Sequence, residues 1–352
     1  MVGAVTRGWP RMAIVATIRR YAAVALAAAL APGVLVAHPA HAYSNAPIEF
    51  LDVPSSAMGR DIRIEFLSGG PGSHALYLLD SMEAGDDRNG WDINTAAFDL
   101  FDGSGLSVVM PVGGKSSFYS DWYAPAVGNA GTVTYKWETF LTQELPAWLA
   151  ANRDVAASGN AVVGLSMGGS AALVLAAHHP DRFVYAGSLS GFLNLSAGDW
   201  PGKVRIAMMW NGGFNPDAMW GPPGDPAWAR NDPTVNVGQL VANNTRIWIY
   251  CGNGTPRDPA LASPDAPIGG LGFLEGFAID SNRAFTDAYI AAGGRNGVFD
   301  FPDGIHSWGY WEQELQRMKP DLLQVVGSVP QDSRPSELAD PVLGDLAVSG
   351  QR

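Results

Sequence analysis

The chain has 352 residues but only one cysteine, Cys251, so it can form no internal disulfide bond. A domain without disulfides must be stabilised by its core, and we expect this lone thiol, which follows a largely apolar segment, to be buried and inert. Charged residues are also scarce, at 16% against 47% hydrophobic residues, which excludes a globally disordered protein. No sequence period of roughly 20 to 50 residues recurs, which argues against a solenoid or a propeller.

The N-terminus carries four arginines and then an apolar run at residues 21–37, followed by Ala40-His41-Ala42. This order is typical of a signal peptide with a small-residue cleavage site. A membrane anchor is the alternative, since about 18 apolar residues are borderline for a span. Pro32 and Gly33 interrupt the run and favour cleavage. We therefore expect residues 1–42 to be removed, leaving a secreted or cell-envelope protein with no stable membrane span.

The mature chain, without the predicted signal peptide, has few basic residues. The full chain has 22 Lys and Arg against 34 Asp and Glu, and residues 1–42 contain four Arg and no acid. The formal charge of the mature chain is therefore 18 − 34 = −16. Such an acidic protein is repelled by phosphate backbones, so nucleic acid is excluded as a partner.

Strand-like and helix-like segments alternate along most of the chain. Strands are predicted at Arg60–Leu67, Ala75–Leu79 and residues 106–111, 161–165, 183–188, 245–250 and 298–301. Helices are predicted at residues 139–152, 169–179 and 282–292 and at Trp308–Val326. This alternation predicts an α/β protein with a mainly parallel sheet covered on both faces. Residues 43–326 are expected to form this domain, residues 190–244 a cap or wall beside the site, and residues 327–352 a disordered tail.

The strongest local motif is Gly164-Leu165-Ser166-Met167-Gly168, which matches G-x-S-x-G. It lies between an apolar strand and a small-residue helix, which is the context of the nucleophile elbow in the α/β-hydrolase fold. The sharp turn holds the serine hydroxyl over the sheet edge at a helix N-terminus. The sequence therefore predicts an α/β-hydrolase with Ser166 as the nucleophile.

A serine nucleophile near neutral pH needs a base, and histidine is the usual one. Four histidines remain after signal removal. His178 and His179 end the helix that Ser166 begins, and His74 lies in a turn before an early strand. His306 follows the last predicted strand, where a hydrolase sheet presents its histidine. We therefore predict His306 as the base.

The acid that orients the histidine should lie between Ser166 and His306 in the chain. The pattern alone leaves several acids open: Asp258, Asp265, Glu275, Asp280, Asp287 and Asp300.

Several longer segments resemble the mycolyltransferases of the antigen 85 complex. They are Tyr77-Leu-Leu-Asp80, Asn89-Gly-Trp-Asp-Ile-Asn94, Met110-Pro-Val-Gly-Gly114, Ser116-Ser-Phe-Tyr-Ser-Asp-Trp122, Tyr135-Lys-Trp-Glu-Thr-Phe140, Gly164-Leu-Ser-Met167, Asp225-Pro-Ala-Trp228, Arg230-Asn-Asp-Pro-Thr234, Tyr250-Cys-Gly-Asn-Gly-Thr-Pro256 and His306-Ser-Trp308. The resemblance covers nearly all of residues 47–325 in unbroken order. It implies an α/β-hydrolase that moves mycolic acids from trehalose monomycolate to a second trehalose monomycolate or to cell-wall arabinogalactan, without a cofactor or a metal.

The resemblance also implies roles for individual residues. It selects Glu275, in Phe273-Leu274-Glu275, as the acid of a Ser-Glu-His triad. It assigns the oxyanion hole to the backbone N–H groups of Met82 and Met167, the second of which also follows from the elbow. The substrate contacts that it implies are Asp80, Asn94, Asn194, Phe277, Ser307 and Trp308.

The chain departs from the family pattern at a few places. Glu83 stands where the family has a sugar-contacting arginine, and the segment between Cys251 and Glu275 is longer. Val127 and Thr132 replace a disulfide present in many relatives. The fibronectin-binding stretch of the family is poorly matched at residues 98–107, so we do not expect fibronectin binding.

The sequence leaves two interpretations of the Trp- and Met-rich residues 208–228. They form either an apolar channel for the acyl chain or part of the core.

The sequence also leaves two alternative functions. The protein could be an esterase or lipase that uses water as acceptor, or a sugar-binding protein without activity.

Overall fold

The computed structural model describes residues 44–262 and 268–327 of the chain. The predicted signal peptide at residues 1–42 lies outside these residues, as do Asp265 and all but the first residue of the predicted tail at residues 327–352.

An eight-stranded sheet forms the centre of the domain, and a two-stranded hairpin lies apart from it. The ten strands are β1 (Glu49–Ser55), β2 (Arg60–Leu67), β3 (Ala75–Leu79), β4 (Ser107–Pro111), β5 (Ala126–Gly128), β6 (Gly131–Val133), β7 (Asn160–Leu165), β8 (Phe183–Leu189), β9 (Arg246–Tyr250) and β10 (Gly297–Asp300). The order in the large sheet is β1-β2-β4-β3-β7-β8-β9-β10. Strand β2 runs antiparallel to both of its neighbours, and the other pairings in this sheet are parallel.

Helices follow most of the parallel strands and cover the sheet. They are α1 (Gly90–Asn94), α2 (Ala97–Phe101), α3 (Trp137–Thr139), α4 (Leu145–Arg153), α5 (Met167–His178), α6 (Trp200–Trp210), α7 (Pro216–Trp220), α8 (Pro226–Arg230), α9 (Val237–Ala242), α10 (Ile268–Ala291) and α11 (Trp308–Val326). A π-helical turn at Phe140–Glu144 joins α3 to α4, and a 3₁₀ turn lies at Pro259–Leu261.

The core has one layer on each face of the sheet because successive strand residues point in opposite directions. In β3, Tyr77 and Leu79 belong to the layer that contains α5, whereas Leu76 and Leu78 belong to the layer that contains α11. This arrangement confirms the predicted α/β-hydrolase fold with helices on both faces.

Three predictions about local structure need correction. Strand β1 and the hairpin β5–β6 were not predicted, and in that hairpin Val127 pairs directly with Thr132. Residues 190–244, expected as a cap or wall in which no helix was predicted, contain the four helices α6 to α9. Helix α10 begins at Ile268 instead of residue 282, so Glu275 lies within a helix and not in a loop.

No helix in the two described ranges has both the length and the hydrophobicity needed to cross a bilayer.

Candidate active site

Ser166 lies at the turn between β7 and α5, as the G-x-S-x-G motif predicts. Its φ and ψ angles are 51° and −122°, a conformation that L-residues rarely adopt. Its backbone N–H donates to the carbonyl oxygen of Leu189 at 2.9 Å, which ties the turn to the end of β8. The strained turn therefore places the serine side chain at the carboxyl edge of the sheet, with only 7% of the residue exposed.

The two glycines of the motif are needed because backbone approaches this turn closely. A Cβ atom at Gly164 would lie 2.2 Å from the carbonyl oxygen of Gly168. A Cβ atom at Gly168 would lie 2.5 Å from the carbonyl oxygen of Asp80. Both contacts are to backbone atoms, so neither could be relieved by rotating a side chain. The spacing of the motif thus reflects packing of the elbow against itself and against the end of β3.

Glu275 and His306 form a buried pair. The Nδ1 atom of His306 lies 2.7 Å from Oε2 of Glu275, and the two side chains are 7% and 0% exposed. The His306 ring also meets the Trp311 ring edge-on, with centroids 4.8 Å apart. Carboxylate and indole together fix the plane of the imidazole, and they leave Nε2 as the nitrogen that does not face the acid.

The other oxygen of Glu275 is held by groups that the sequence did not reveal. Its Oε1 atom accepts hydrogen bonds from the Ser190 hydroxyl and from the backbone N–H of Gly252, both at 2.6 Å. The Ser190 oxygen in turn accepts the indole N–H of Trp311 at 2.9 Å. Ser190 follows β8 and Gly252 follows β9, so the ends of two adjacent strands hold the carboxylate. Their position after strands was the only available signal for these residues.

The remaining acids between Ser166 and His306 are placed elsewhere. Asp258 accepts from the N–H of Ala260 in the 3₁₀ turn, and Asp300 pairs with Arg317. Asp280 and Asp287 are exposed on α10. Among the candidates in the described residues, Glu275 is therefore the acid that the fold brings to His306.

Ser166 and the Glu275–His306 pair meet at the same sheet edge. Leu165 and Leu189 are paired in parallel strands, so Ser166 and Ser190 are neighbours at the strand ends. Phe192 lines the cavity beside Ser166, and its ring centroid is 6.1 Å from that of His306. Among the described residues the Ser166 hydroxyl makes no hydrogen bond, so a hydrogen bond to His306 is absent from this conformation. Such contacts often tighten only when substrate binds.

Of the two residues expected to supply the oxyanion donors, one follows the serine directly and the other lines the same cavity. Met167 is the first residue of α5, so its N–H precedes the intrahelical hydrogen bonds. Met82 lies after β3, and its side chain lines the same cavity as Ser166. The Met82 carbonyl oxygen accepts from the N–H of Ser116 at 3.1 Å, which holds this segment against the next loop.

Three of the expected sugar contacts meet around Gly90. Its N–H donates to Oδ2 of Asp80 at 2.6 Å, and its carbonyl oxygen accepts from Nδ2 of Asn94 at 2.8 Å. A Cβ atom at Gly90 would lie 2.6 Å from the Trp308 ring. Burial raises the pKa of Asp80 to about 6, although hydrogen bonds from Gly90 and Ser81 oppose the shift. The fold thus gathers a carboxyl group, an amide and an indole ring, which together suit a ligand rich in hydroxyl groups.

An apolar cavity opens directly beside Ser166. Helix α6 contributes Trp200, Val204 and Ala207, and helix α10 contributes Leu274 and Phe277. Lys203 also lines it, with its ammonium 4.0 Å from the centre of the Phe277 ring. Phe277 therefore lines the same cavity as the nucleophile, and its role as a substrate contact stays a prediction.

The hypothesis of an acyl channel at residues 208–228 gains no support from the cavity beside Ser166, because none of these residues lines that cavity. The lining from this part of the chain comes from residues 200–207, one helix earlier. Met208, Met219, Trp220 and Trp228 are buried in the core layer that contains α5. Core packing accounts for these four residues, whereas Met209 and Trp210 are 57% and 50% exposed.

Two of the expected substrate contacts belong neither to the lining of this cavity nor to the group described around Gly90. Ser307 is 1% exposed and donates its hydroxyl hydrogen to the carbonyl oxygen of Leu261 at 3.0 Å. Asn194 is half-buried between Leu193 and Leu195, after β8. Their roles stay predictions.

Cys251 is fully buried, and burial raises the pKa of its thiol well above the ordinary value. This agrees with the expectation of an unreactive thiol. In residues 44–262 and 268–327, no group of three or more His, Cys, Asp or Glu side chains could hold a metal ion.

Comparison with known proteins identifies similar sequences over almost the whole domain. The Esterase family model matches residues 55–322. The diacylglycerol acyltransferase/mycolyltransferase Ag85B of Mycolicibacterium smegmatis is 62% identical over 318 residues, which cover 88% of this chain and 96% of that protein. The corresponding Ag85A of Mycobacterium tuberculosis is 56% identical over 327 residues, covering 91% and 95%.

Solved structures agree with this result. The crystal structure of Mycobacterium tuberculosis MPT51 (FbpC1) matches with a TM-score of 0.70 and 41% identity, covering 80% of this chain and 99% of that one. The serine hydrolase FphF of Staphylococcus aureus matches with a TM-score of 0.58 at 17% identity, covering 79% and 98%, and supports the fold alone.

Proposed function

The chain belongs to the antigen 85 family of diacylglycerol acyltransferase/mycolyltransferases, and from that premise we propose that it transfers mycolyl groups through an acyl ester on Ser166. Mycolate esters of trehalose are its donor class. The acceptor is a second trehalose monomycolate or cell-wall arabinogalactan. The observation that carries the proposal is the buried Glu275–His306 pair at the same sheet edge as the strained Ser166 turn.

The first step is attack of Ser166 Oγ on the ester carbonyl carbon. His306 Nε2 removes the hydroxyl proton as the bond forms, because Nδ1 is already committed to Glu275. Glu275 fixes this tautomer and stabilises the imidazolium ion that results. His306 then returns the proton to the trehalose oxygen as the ester C–O bond breaks, which releases trehalose and leaves acyl-Ser166.

The tetrahedral intermediate carries a negative charge on the former carbonyl oxygen. We assign its stabilisation to the backbone N–H groups of Met82 and Met167. A preorganised donor of this kind typically lowers the barrier by about 3 kcal/mol. The N-terminal end of α5 points at the same position and adds a favourable dipole.

The second step reverses the first with a new alcohol. An acceptor hydroxyl loses its proton to His306 and attacks the acyl carbon, and Ser166 leaves with the proton. Transfer exceeds hydrolysis only if the acceptor is held in place while water is excluded. The cluster of Asp80, Asn94 and Trp308 supports acceptor positioning, and the apolar cavity lined by α6 and α10 supports sheltering of the acyl chain.

Intact-mass measurement after incubation with trehalose monomycolate tests the acyl intermediate. We expect an adduct of one mycolyl group on the wild-type chain and none on Ser166→Ala, whose fold should be unchanged. An adduct on the Ser166→Ala variant would refute the assignment of the nucleophile.

Hydrolysis is the rival function, because the same triad would serve an esterase or a lipase. A labelled acyl ester incubated with and without trehalose separates the two activities. Labelled acyl-trehalose supports transfer, whereas free acid in both tubes would establish a hydrolase. A sugar-binding protein without activity would give neither product.

We propose that the mature chain acts outside the cytoplasm, in the cell envelope or the medium, since the predicted signal peptide and the cell-wall substrates both require export. Binding to fibronectin is not part of this proposal.

A further inference from the structure

A second cleft lies on a different part of the surface from Ser166. It is lined by residues of α3, α8 and the loop before the β5–β6 hairpin, and it shares no lining residue with the cavity beside the nucleophile. Its volume is about 530 Å³, against about 50 Å³ for that cavity. The acyl-transfer chemistry does not use it.

The floor of the cleft is a closed charge cluster. Arg230 donates to both oxygens of Glu138, at 2.6 and 2.9 Å, and Nε2 of His179 lies 2.7 Å from Oε1. Burial alone would raise the pKa of Glu138, but the hydrogen bonds from His179 and Arg230 outweigh it and lower the pKa to about 2. The carboxylate is thus ionised and already paired, so the floor neither requires nor favours a charged ligand.

A second carboxylate in the cleft accepts hydrogen bonds from neutral groups. Asp121 accepts from the backbone N–H of Thr139 at 3.1 Å and from its hydroxyl at 2.6 Å. Gln143, by contrast, is exposed and its amide makes no hydrogen bond to any described residue. The cleft therefore offers a polar rim of donors and acceptors, in which the Asp121 carboxylate is held by neutral hydrogen-bond donors.

An exposed aromatic ring forms one wall. Tyr123 is 63% exposed, yet its hydroxyl donates to Oδ1 of Asp225 at 3.1 Å, and its N–H donates to the carbonyl oxygen of Met219. A ring that is held in position at both ends and still faces solvent loses little entropy when a flat ligand stacks on it. Trp220, which also lines the cleft, is buried and donates its indole N–H to the Ser120 hydroxyl oxygen.

We propose that this cleft is a carbohydrate-binding site, in which one ring of a neutral oligosaccharide stacks on Tyr123 while its hydroxyl groups bond to the polar rim. The mixture of one aromatic face with hydrogen-bonding polar groups fits such a ligand. An anionic ligand is disfavoured because Arg230 is already paired with Glu138. An apolar ligand is disfavoured because it would remove water from the polar rim without replacing the lost hydrogen bonds. The site would hold a glycan to the protein independently of acyl transfer.

The test is a titration of the mature chain with maltotriose and, separately, with arabinotriose. Binding of each trisaccharide is measured by saturation-transfer NMR. Tyr123→Ala removes the stacking ring, and Tyr123→Phe is the matched control because it keeps the ring and loses only the bond to Asp225. We expect Tyr123→Ala to weaken binding of at least one trisaccharide by about fivefold or more and Tyr123→Phe by less than about twofold.

Trp308→Ala separates this site from the sugar residues near Ser166. Binding that persists in Trp308→Ala but falls in Tyr123→Ala supports the cleft. Equal binding in Tyr123→Ala and the wild type, or no binding of either trisaccharide, would overturn the proposal. Acyl-adduct formation on Ser166 is measured separately, so a failure of the proposed function leaves this result unaffected.

Discussion

Replacing Glu275 by glutamine perturbs the proposed triad with the least change of shape. In the wild type, Oε1 accepts two hydrogen bonds, from the Ser190 hydroxyl and the Gly252 N–H, while Oε2 faces Nδ1 of His306. Both partners on the Oε1 side are donors. A glutamine must therefore turn its carbonyl oxygen towards them, which points its NH₂ group at His306.

This orientation forces the wrong tautomer on the imidazole. Nδ1 would accept from the amide, so Nε2 would carry the hydrogen and could not remove the proton of Ser166. Replacing the triad carboxylate by an amide reduces kcat by about 10⁴-fold in a serine triad. This factor corresponds to about 5 kcal/mol of activation free energy. The fold should survive, because the glutamine keeps the volume and two of the three hydrogen bonds of the buried carboxylate.

The assay is the turnover rate of a chromogenic short-chain ester, together with unfolding by urea to verify the fold. Asp280→Asn is the matched control, since Asp280 is an exposed acid on the same helix. We expect the control to keep nearly full activity. A Glu275→Gln variant that retains more than about a tenth of the wild-type rate would refute the tautomer argument and the role of Glu275.

Three further predictions concern packing and pH. Gly168→Ala should lower the unfolding free energy by about 1–3 kcal/mol and reduce ester turnover, because the added Cβ would clash with the backbone oxygens of Asp80 and Leu79. Unfolding by urea at the wild-type concentration would contradict this prediction. Acceptor binding, measured as KM for trehalose, should strengthen as pH rises through about 6, where Asp80 ionises, and a persistent pH dependence in Asp80→Asn would exclude Asp80 as its source. Because the pKa of Glu138 is lowered to about 2 in the folded state, its contribution to stability is present above pH 4.5 and lost as pH falls towards 2. Between pH 7 and pH 3 the wild type should therefore lose roughly 2 kcal/mol more unfolding free energy than Glu138→Gln, and equal losses would show that Glu138 is not responsible.

Helix α10 shows why some of the fold could not be predicted. Its first half contains Gly269, Gly270, Gly272 and Gly276, and glycine costs about 1 kcal/mol relative to alanine inside a helix. The sequence therefore indicated a helix only from residue 282. The structure shows why a glycine is needed in this part of the helix, because another backbone segment passes close to it. A Cβ atom at Gly272 would lie 2.5 Å from the carbonyl oxygen of Gly254. This close approach brings Glu275 within reach of Gly252.

The sheet itself was largely predictable. Seven strands of the central sheet were placed from apolar runs and alternation, because buried parallel strands carry nearly continuous hydrophobic sequences. Strand β1 was missed because it lies at the sheet edge, pairs only with β2, and exposes Glu49 and Phe50. The short helices α6 to α9 were missed because their sequences are rich in Gly, Pro and Trp, and tertiary packing outweighs local preference there.

Ser166 and His306 could be chosen from the sequence alone because their signals are local. A serine between glycines at a strand–helix junction defines a strained turn, and a histidine after the last strand must lie at the same sheet edge. The residue pattern left six acids open, and the family resemblance selected Glu275 and implied Asp80, Asn94 and Trp308 as substrate contacts. Only the tertiary structure decided how these residues are held: the pairing of Glu275 with His306, the support from Ser190 and Trp311, and the grouping around Gly90. Such contacts depend on strand order and helix packing, which no short segment of sequence encodes.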